Sequence, residues 1–147
     1  MSGRYPEWTV QGRDWPHREA SQFVDAGGYR WHVQRMGQGG KAGPKLLFLH
    51  GTGAATHSWR DVMPLLAEQA ELVAMDLPGH GFTRARGDAR VTLPGMAQSV
   101  TQLAEALEFV PDIVIGHSAG AAIAAQMQIA SGDAVPIVAL TPALMPF

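Results

Sequence analysis

The stretch Asp112-Ile-Val-Ile-Gly-His-Ser-Ala-Gly-Ala-Ala-Ile-Ala-Ala125 decides how the rest of the chain is read. It spells a short apolar strand, a turn Gly116-His117-Ser118-Ala119-Gly120 and a helix of small residues, which is the G-x-S-x-G nucleophile elbow with a strand before and a helix after. A strand that turns into a helix within one residue forces Ser118 into a strained backbone conformation and lifts its hydroxyl above the sheet edge. Flanking side chains would collide there, so Gly116 and Gly120 carry none. Ala119, Ala121, Ala122, Ala124 and Ala125 let the helix cross the sheet closely. Its N-terminal amides and dipole favour negative charge near Ser118, as a developing oxyanion requires. The sequence alternative is a glycine-rich turn with an incidental serine; the strand, the alanine helix and two further motifs speak against it.

Working back from the elbow, Lys45-Leu-Leu-Phe-Leu-His50 is a continuous apolar run of the buried parallel type. It ends in Gly51-Thr-Gly53, before a helical region with Trp59, Val62, Leu65 and Leu66 and with Pro64 in its first turn. Glu71-Leu-Val-Ala-Met-Asp76 is the next strand, closed by Leu77-Pro-Gly-His-Gly-Phe82, and a polar loop runs to Arg90. Thr92 caps a helix with Pro94 near its start; Met96, Val100, Leu103, Ala104 and Leu107 recur at helical spacing, and Pro111 stops it. After the alanine helix, Val135-Pro-Ile-Val-Ala-Leu140 reads as one more strand, and the tail runs from Thr141 to Phe147.

Ahead of these elements, residues 21–26 and 29–35 form two alternating runs around Gly27-Gly28, a β-hairpin. Tyr29, Trp31, Val33 and Arg35 share one side, and Arg30, His32 and Gln34 the other, with His32 read as a solvated strand residue. Gly37 to Pro44 reads as a flexible loop. Residues 1–18 form an irregular arm that tucks Trp8 and Trp15 onto the body; a partner-docking surface is the alternative use of exposed Trp and Arg. Strands alternating with helices after an opening hairpin predict a mostly parallel sheet covered on both faces. His50, Asp76 and Ser118 then gather at the carboxyl ends of its strands.

Composition sets bounds. With 147 residues and 46% apolar content one domain with a proper core is expected, residues 19–147 after the arm. A net charge of −2 suggests no nucleic-acid partner and no acidic membrane surface, and zero cysteines exclude disulfides and thiolate metal sites. No apolar run approaches the roughly 20 residues of a membrane span, and the first residues lack a secretory layout, so a cytoplasmic home is expected. No metal site and no cofactor are expected.

The second chemical feature is His50-Gly-Thr-Gly53 at a strand end. In an acyl-transfer site, backbone N–H groups of Thr52 and Ala119 would form the oxyanion hole for Ser118. A competing reading takes Gly51-Thr-Gly53-Ala-Ala-Thr56, with Asp76 further on, as a dinucleotide fingerprint; Thr56 stands where that pattern wants Gly or Ala. In the third feature, Asp76-Leu-Pro-Gly-His-Gly-Phe-Thr83, Asp76 pairs with a cation or caps the turn, and His80 is a structural hydrogen-bonding residue. Among the other histidines, His50 steadies the oxyanion loop, with a base for Ser118 as the alternative. His117 points away from the exit direction of Ser118, and His57 is exposed at a helical turn.

Together, His50-Gly-Thr-Gly53, Asp76-Leu-Pro-Gly-His-Gly81 and Gly116-His-Ser-Ala-Gly120 resemble the α/β-hydrolase superfamily, and within it the chain resembles the magnesium chelatase accessory proteins of bacteriochlorophyll biosynthesis. The narrower likeness is carried by Asp14 to Ser21, Gly28 to Gln34, His50 to Arg60, Asp76 to Thr83 and Gly116 to Ile123. It implies an α/β-hydrolase fold, Ser118 at the nucleophile position, Thr52 and Ala119 amides as oxyanion hole, and Gly51, Gly53, Gly116, His117 and Gly120 as supporting positions. It implies a non-hydrolytic accessory role in photosynthetic pigment synthesis, with chelatase subunits as partners and a porphyrin intermediate or small-molecule substrate as ligand. The alternative is an esterase-like serine hydrolase.

The superfamily's chain order is Ser, then Asp or Glu, then His. Here only Asp133 follows Ser118 as an acid and no histidine does. The chain is therefore expected to be the N-terminal half of the family's domain, without its lid and later strands. It is also expected to hydrolyse poorly and to expose an apolar edge near Ile137–Leu140.

Overall fold

The computed structural model describes residues 5–37, 43–87 and 91–143. The seven strands among them are β1 (Ser21–Ala26), β2 (Tyr29–Met36), β3 (Lys45–Leu49), β4 (Glu71–Met75), β5 (Arg84–Ala85), β6 (Ile113–His117) and β7 (Ile137–Leu140). The helices are α1 (Met63–Leu66), α2 (Leu93–Ala106) and α3 (Ala119–Ser131). Most of the loop expected from Gly37 to Pro44, the end of the loop at Arg90 and the last four residues of the tail lie outside the described residues.

The strands form one sheet in the order β1-β2-β4-β3-β6-β7, with β5 hydrogen-bonded to β2 off that path. β1, β2 and β4 run antiparallel to their neighbours in turn, whereas β4–β3, β3–β6 and β6–β7 are parallel. The hairpin β1–β2 pairs Ala26 with Tyr29 across Gly27-Gly28, both at positive φ as a two-residue turn demands. The chain leaves β3 toward β4, then crosses back to β6. The switch in direction therefore falls at the carboxyl ends of β3 and β6, where an open sheet places its crevice.

Alternation along each strand divides the core in two. Leu47, Leu49, Val73, Met75 and Val114 face α2 and α3, joined by Trp31 and Val33. Leu46, Phe48, Leu72 and Ala74 face the other way, against Trp59 and Met63. On the first side α2 buries Ala97, Val100, Leu103 and Ala104, and Thr92 caps it by accepting the Gly95 N–H at 3.2 Å, as its spacing predicts. On the second side the cover is thinner than expected: a 3-10 turn Thr56–Trp59 and the single turn α1, with Pro64 at its start. Four residues between two turns are too few to propagate an α-helix from its costly nucleus.

Four further expectations change. The polar loop after Phe82 contains β5, because Tyr29 and Arg30 at the start of β2 offer a free edge to Ala85 and Arg84. The last strand begins at Ile137, two residues later than read, and Leu107 caps α2 instead of continuing it. His32 is not solvated: it is fully buried, together with Gln34, on the side of β2 opposite Trp31. The arm covers it. Trp8 packs against Phe23, His32 and Phe82 with ring centroids 5.5, 4.8 and 4.9 Å apart, and Trp15 lies edge-on to Phe82 at 5.0 Å. Trp15 Nε1 donates to Thr56 Oγ1 at 3.0 Å, and Arg18 stacks 4.4 Å over the Trp8 ring. β7 ends the sheet as described, with Val138 and Leu140 exposed, as its apolar run led one to expect.

Candidate functional site at the strand-to-helix elbow

Ser118 follows β6 directly and begins α3, with φ 53° and ψ −115°. A non-glycine residue there is strained and persists only where its surroundings over-determine it. Here they do. The Ser118 N–H donates to the Leu140 carbonyl at 2.9 Å, and its own carbonyl accepts from Ala121 at 3.1 Å and Ala143 at 3.2 Å.

The glycines around it are needed on steric grounds. A Cβ on Gly116 would fall 2.5 Å from the Ala121 nitrogen, and one on Gly120 would fall 2.1 Å from the Leu49 carbonyl oxygen. A Cβ on Gly51 would meet His117 Nδ1 at 3.0 Å and Ser118 Cβ at 3.1 Å, so the bend after β3 lies directly against the serine. The parallel register pairs Leu49 with Gly116, which brings the bend and the elbow to the same level. Gly53 has a positive φ of 77° and open space around it, a turn position in which its conformation, not its size, matters. Thr52 is exposed in this bend, Ala119 is half-buried, and α3 presents its amino end to Ser118.

His50 is completely buried, and both ring nitrogens are committed. Nδ1–H donates to the Gly51 carbonyl at 2.7 Å, and Nε2 accepts the Leu77 N–H at 2.9 Å. Burial pushes this imidazole down to about 4, only partly offset by the bond to Gly51, so it stays neutral at pH 7. It ties the bend after β3 to the turn after β4 and has no nitrogen left for Ser118. His117 ends β6 exposed. His57, expected to be exposed, is half-buried against Trp15 at 5.1 Å because the arm folds over it. His80 donates from Nδ1 to the Pro78 carbonyl at 3.1 Å. Among the described residues no side chain is hydrogen-bonded to the Ser118 hydroxyl, and no group of three His, Asp or Glu is arranged to hold a metal ion.

Asp76 is the second organising point: it caps the turn, as considered for it, and takes His32 as a hydrogen-bond partner. Oδ1 accepts from the Thr56 N–H at 2.8 Å; Oδ2 accepts from the Phe82 N–H at 2.8 Å and from His32 Nδ1 at 2.8 Å. Gly81 has φ 48°, and a Cβ there would fall 2.1 Å from Asp76 Oδ2. Burial raises this carboxyl, but the bond and charge of His32 and the two amides outweigh it, so it titrates below its ordinary 3.8. Sequence reading missed His32 as its partner. Strand alternation placed the two on facing positions only once β2 was known to pair with β4. The competing dinucleotide reading loses its acid: Asp76, the acid it needs for a ribose, is spent on Thr56, Phe82 and His32.

Comparison with known proteins agrees with this geometry. The family model described as alpha/beta hydrolase fold matches residues 44–145. The chain is 41% identical over 114 residues to a magnesium-chelatase 30 kDa subunit of Rhodobacter capsulatus, covering 78% of this chain and 39% of that one. It is 38% identical over 107 residues to bovine protein phosphatase methylesterase 1, covering 69% of this chain and 28% of that one. A solved alpha/beta hydrolase fold protein from Burkholderia ambifaria superposes with a TM-score of 0.76 at 23% identity, over 87% of this chain and 46% of that one. The chain thus spans less than half the length of each.

Proposed function

The chain is a member of the alpha/beta hydrolase fold family, and from that premise we propose that it belongs to an accessory protein of magnesium chelatase. Its role would be to support magnesium insertion into a porphyrin during bacteriochlorophyll synthesis without hydrolysing a substrate. The observation that carries this reading is the 41% identity to the magnesium-chelatase 30 kDa subunit across 78% of this chain. In this reading residues 19–147 are part of one hydrolase domain, residues 1–18 are its arm, and the protein works in the cytoplasm beside the chelatase subunits. Consistent with that location, no helix among the described residues is long and apolar enough to cross a membrane.

Ser118 is then the lip of a binding crevice. The strained elbow, the amino end of α3 and the Thr52 and Ala119 amides give that lip a positive field suited to a carboxylate or enolate oxygen of a porphyrin side chain. Locally, His50 has both ring nitrogens bonded elsewhere, so among the described residues it is not a base for the serine.

A serine hydrolase is the second reading, favoured by one observation. Ser118 holds the positive-φ conformation that exposes a nucleophile, at a cost of roughly 1–3 kcal/mol that a mere lip does not require. Rescue separates the two. In a strain deleted for the gene, the complete gene carrying Ser118→Ala restores pigment if the role is accessory. It leaves magnesium-free porphyrin to accumulate if acyl transfer at Ser118 is the function. Normal pigment in the deletion strain itself refutes the chelatase reading.

A further inference from the structure

A serine, a histidine and an aspartate are wired in series in this chain, away from the elbow. Ser21 opens β1 opposite Gln34, His32 lies two residues back along β2 opposite Phe23, and Asp76 directly follows β4, the strand beside β2. Ser21 Oγ is 2.9 Å from His32 Nε2, and His32 Nδ1 is 2.8 Å from Asp76 Oδ2. The proton positions follow from the neighbours. Asp76 receives only N–H groups and its carboxyl is held ionised, so His32 Nδ1 carries the proton given to it. In that tautomer Nε2 faces Ser21 Oγ as an acceptor. Gln34 Nε2 lies 3.1 Å from Ser21 Oγ, beside the Pro16 and His17 carbonyls at 2.7 and 3.2 Å, and an N–H given to Oγ leaves the serine O–H for His32 Nε2.

This is the nucleophile–base–orienter order that defines a serine triad by role and not by sequence position. We propose that Ser21 is a second, relay-activated nucleophile of this chain, with His32 as its base and Asp76 as the residue that positions the base, taking small activated acyl and phosphonyl electrophiles. Two features favour proton transfer. The imidazolium that forms would face the Asp76 carboxylate, and the rings of Trp8 and Phe23 lie 4.8 and 5.4 Å from it, within cation–π range. His32 is fully buried while Ser21 is half-buried, so the base is kept from water at the inner end of the series and the serine stands at its outer end. The Gln34 amide also donates to the oxygen on which negative charge gathers as the proton leaves.

With a fluorophosphonate the step balances as follows. The Ser21 Oγ–P bond forms as the P–F bond breaks, fluoride leaves with the electron pair, and the serine proton passes to His32 Nε2. The proposal is independent of the chelatase reading, which concerns Ser118, and peptide mapping keeps the two apart. The tryptic peptide Glu19–Arg30 has Ser21 as its one serine, whereas Ser118 falls in the peptide Val91–Phe147.

The 147-residue chain is treated with a small alkyl fluorophosphonate at neutral pH, folded and in urea, and both peptides are weighed. The expected result is an adduct on Glu19–Arg30 that forms at least about 100-fold faster in the folded chain, the contribution of a positioned base. His32→Gln should remove that advantage. An unmodified Glu19–Arg30 peptide, equal rates in the folded and urea-treated chain, or an adduct confined to Val91–Phe147 overturns it. If His32→Gln fails to fold, the folded-against-urea comparison decides alone.

Discussion

Gly120 lies so close to the carbonyl oxygen of Leu49 that a methyl group on its Cα would sit 2.1 Å from that oxygen. Both partners are backbone, held by β3 and by the first turn of α3, so neither can swing aside. This single approach sets how near α3 comes to the sheet, and hence where Ser118 stands relative to the bend at Gly51.

Gly120→Ala should therefore destabilise the fold by about 3 kcal/mol, at the upper end of overpacking costs. Gly53→Ala, which meets no atom within 4 Å but needs φ 77°, should cost only about 1 kcal/mol from backbone strain. Urea unfolding of the two variants checks the order; equal losses would mean that the packing of α3 on β3 is not the constraint.

Asp76→Asn keeps the shape of the side chain but removes its charge. An amide can offer only one oxygen where the carboxylate serves Thr56 with one and Phe82 and His32 with the other. Breaking a buried charged network of this kind costs about 3 kcal/mol or more. Because Trp15 is bonded to Thr56 and Trp8 stacks on His32, tryptophan emission should shift to the red below the main unfolding transition. Unchanged emission up to that transition would detach the arm from this network.

Acid should weaken the fold in two stages. The folded His50 is pushed down to about 4 by burial, against an ordinary value of 6.5, so the unfolded chain takes up a proton that the folded chain refuses between those limits. Stability is full above pH 6.5 and falls as pH drops toward 4, by about 3 kcal/mol in all. Asp76 adds a loss at lower pH: its folded carboxyl titrates below 3.8, so its contribution is present above that value and disappears as pH falls further. Urea midpoints from pH 7.5 to 4.5 measure the first stage, and His50→Gln should flatten it while lowering stability throughout.

The outer edge of β7 carries Val138 and Leu140, 45% and 42% exposed, with no charge in the strand. Such an edge recruits other strands. Val138→Lys should raise the fraction of monomer in light scattering and slow aggregation on warming, with less than about 1 kcal/mol change in stability, since the side chain is already half in water. Unchanged association would place the sticky surface elsewhere.

What was legible in the sequence was whatever depends on neighbours a few residues apart. The apolar runs of β3, β4 and β6, the Thr92 cap, the Gly-Gly hairpin and the small residues flanking Ser118 each state a local backbone requirement, and a periodic pattern is enough to read it. The elbow could be recognised because Gly116 and Gly120 are demanded by contacts that any strand–turn–helix of that tightness must make.

The tertiary structure decided the fate of the polar groups. Nothing near His32 in sequence says whether it meets water. Its burial depends on an arm that starts more than twenty residues earlier and on an aspartate 44 residues later. The same holds for β5, which exists because β2 has an edge to lend, and for the two bonds that fix His50. Hydrophobic periodicity encodes which face of an element turns inward. Which particular donor meets which acceptor follows only from the register of strands that are distant in the chain, and it is that register which joined Ser21, His32 and Asp76.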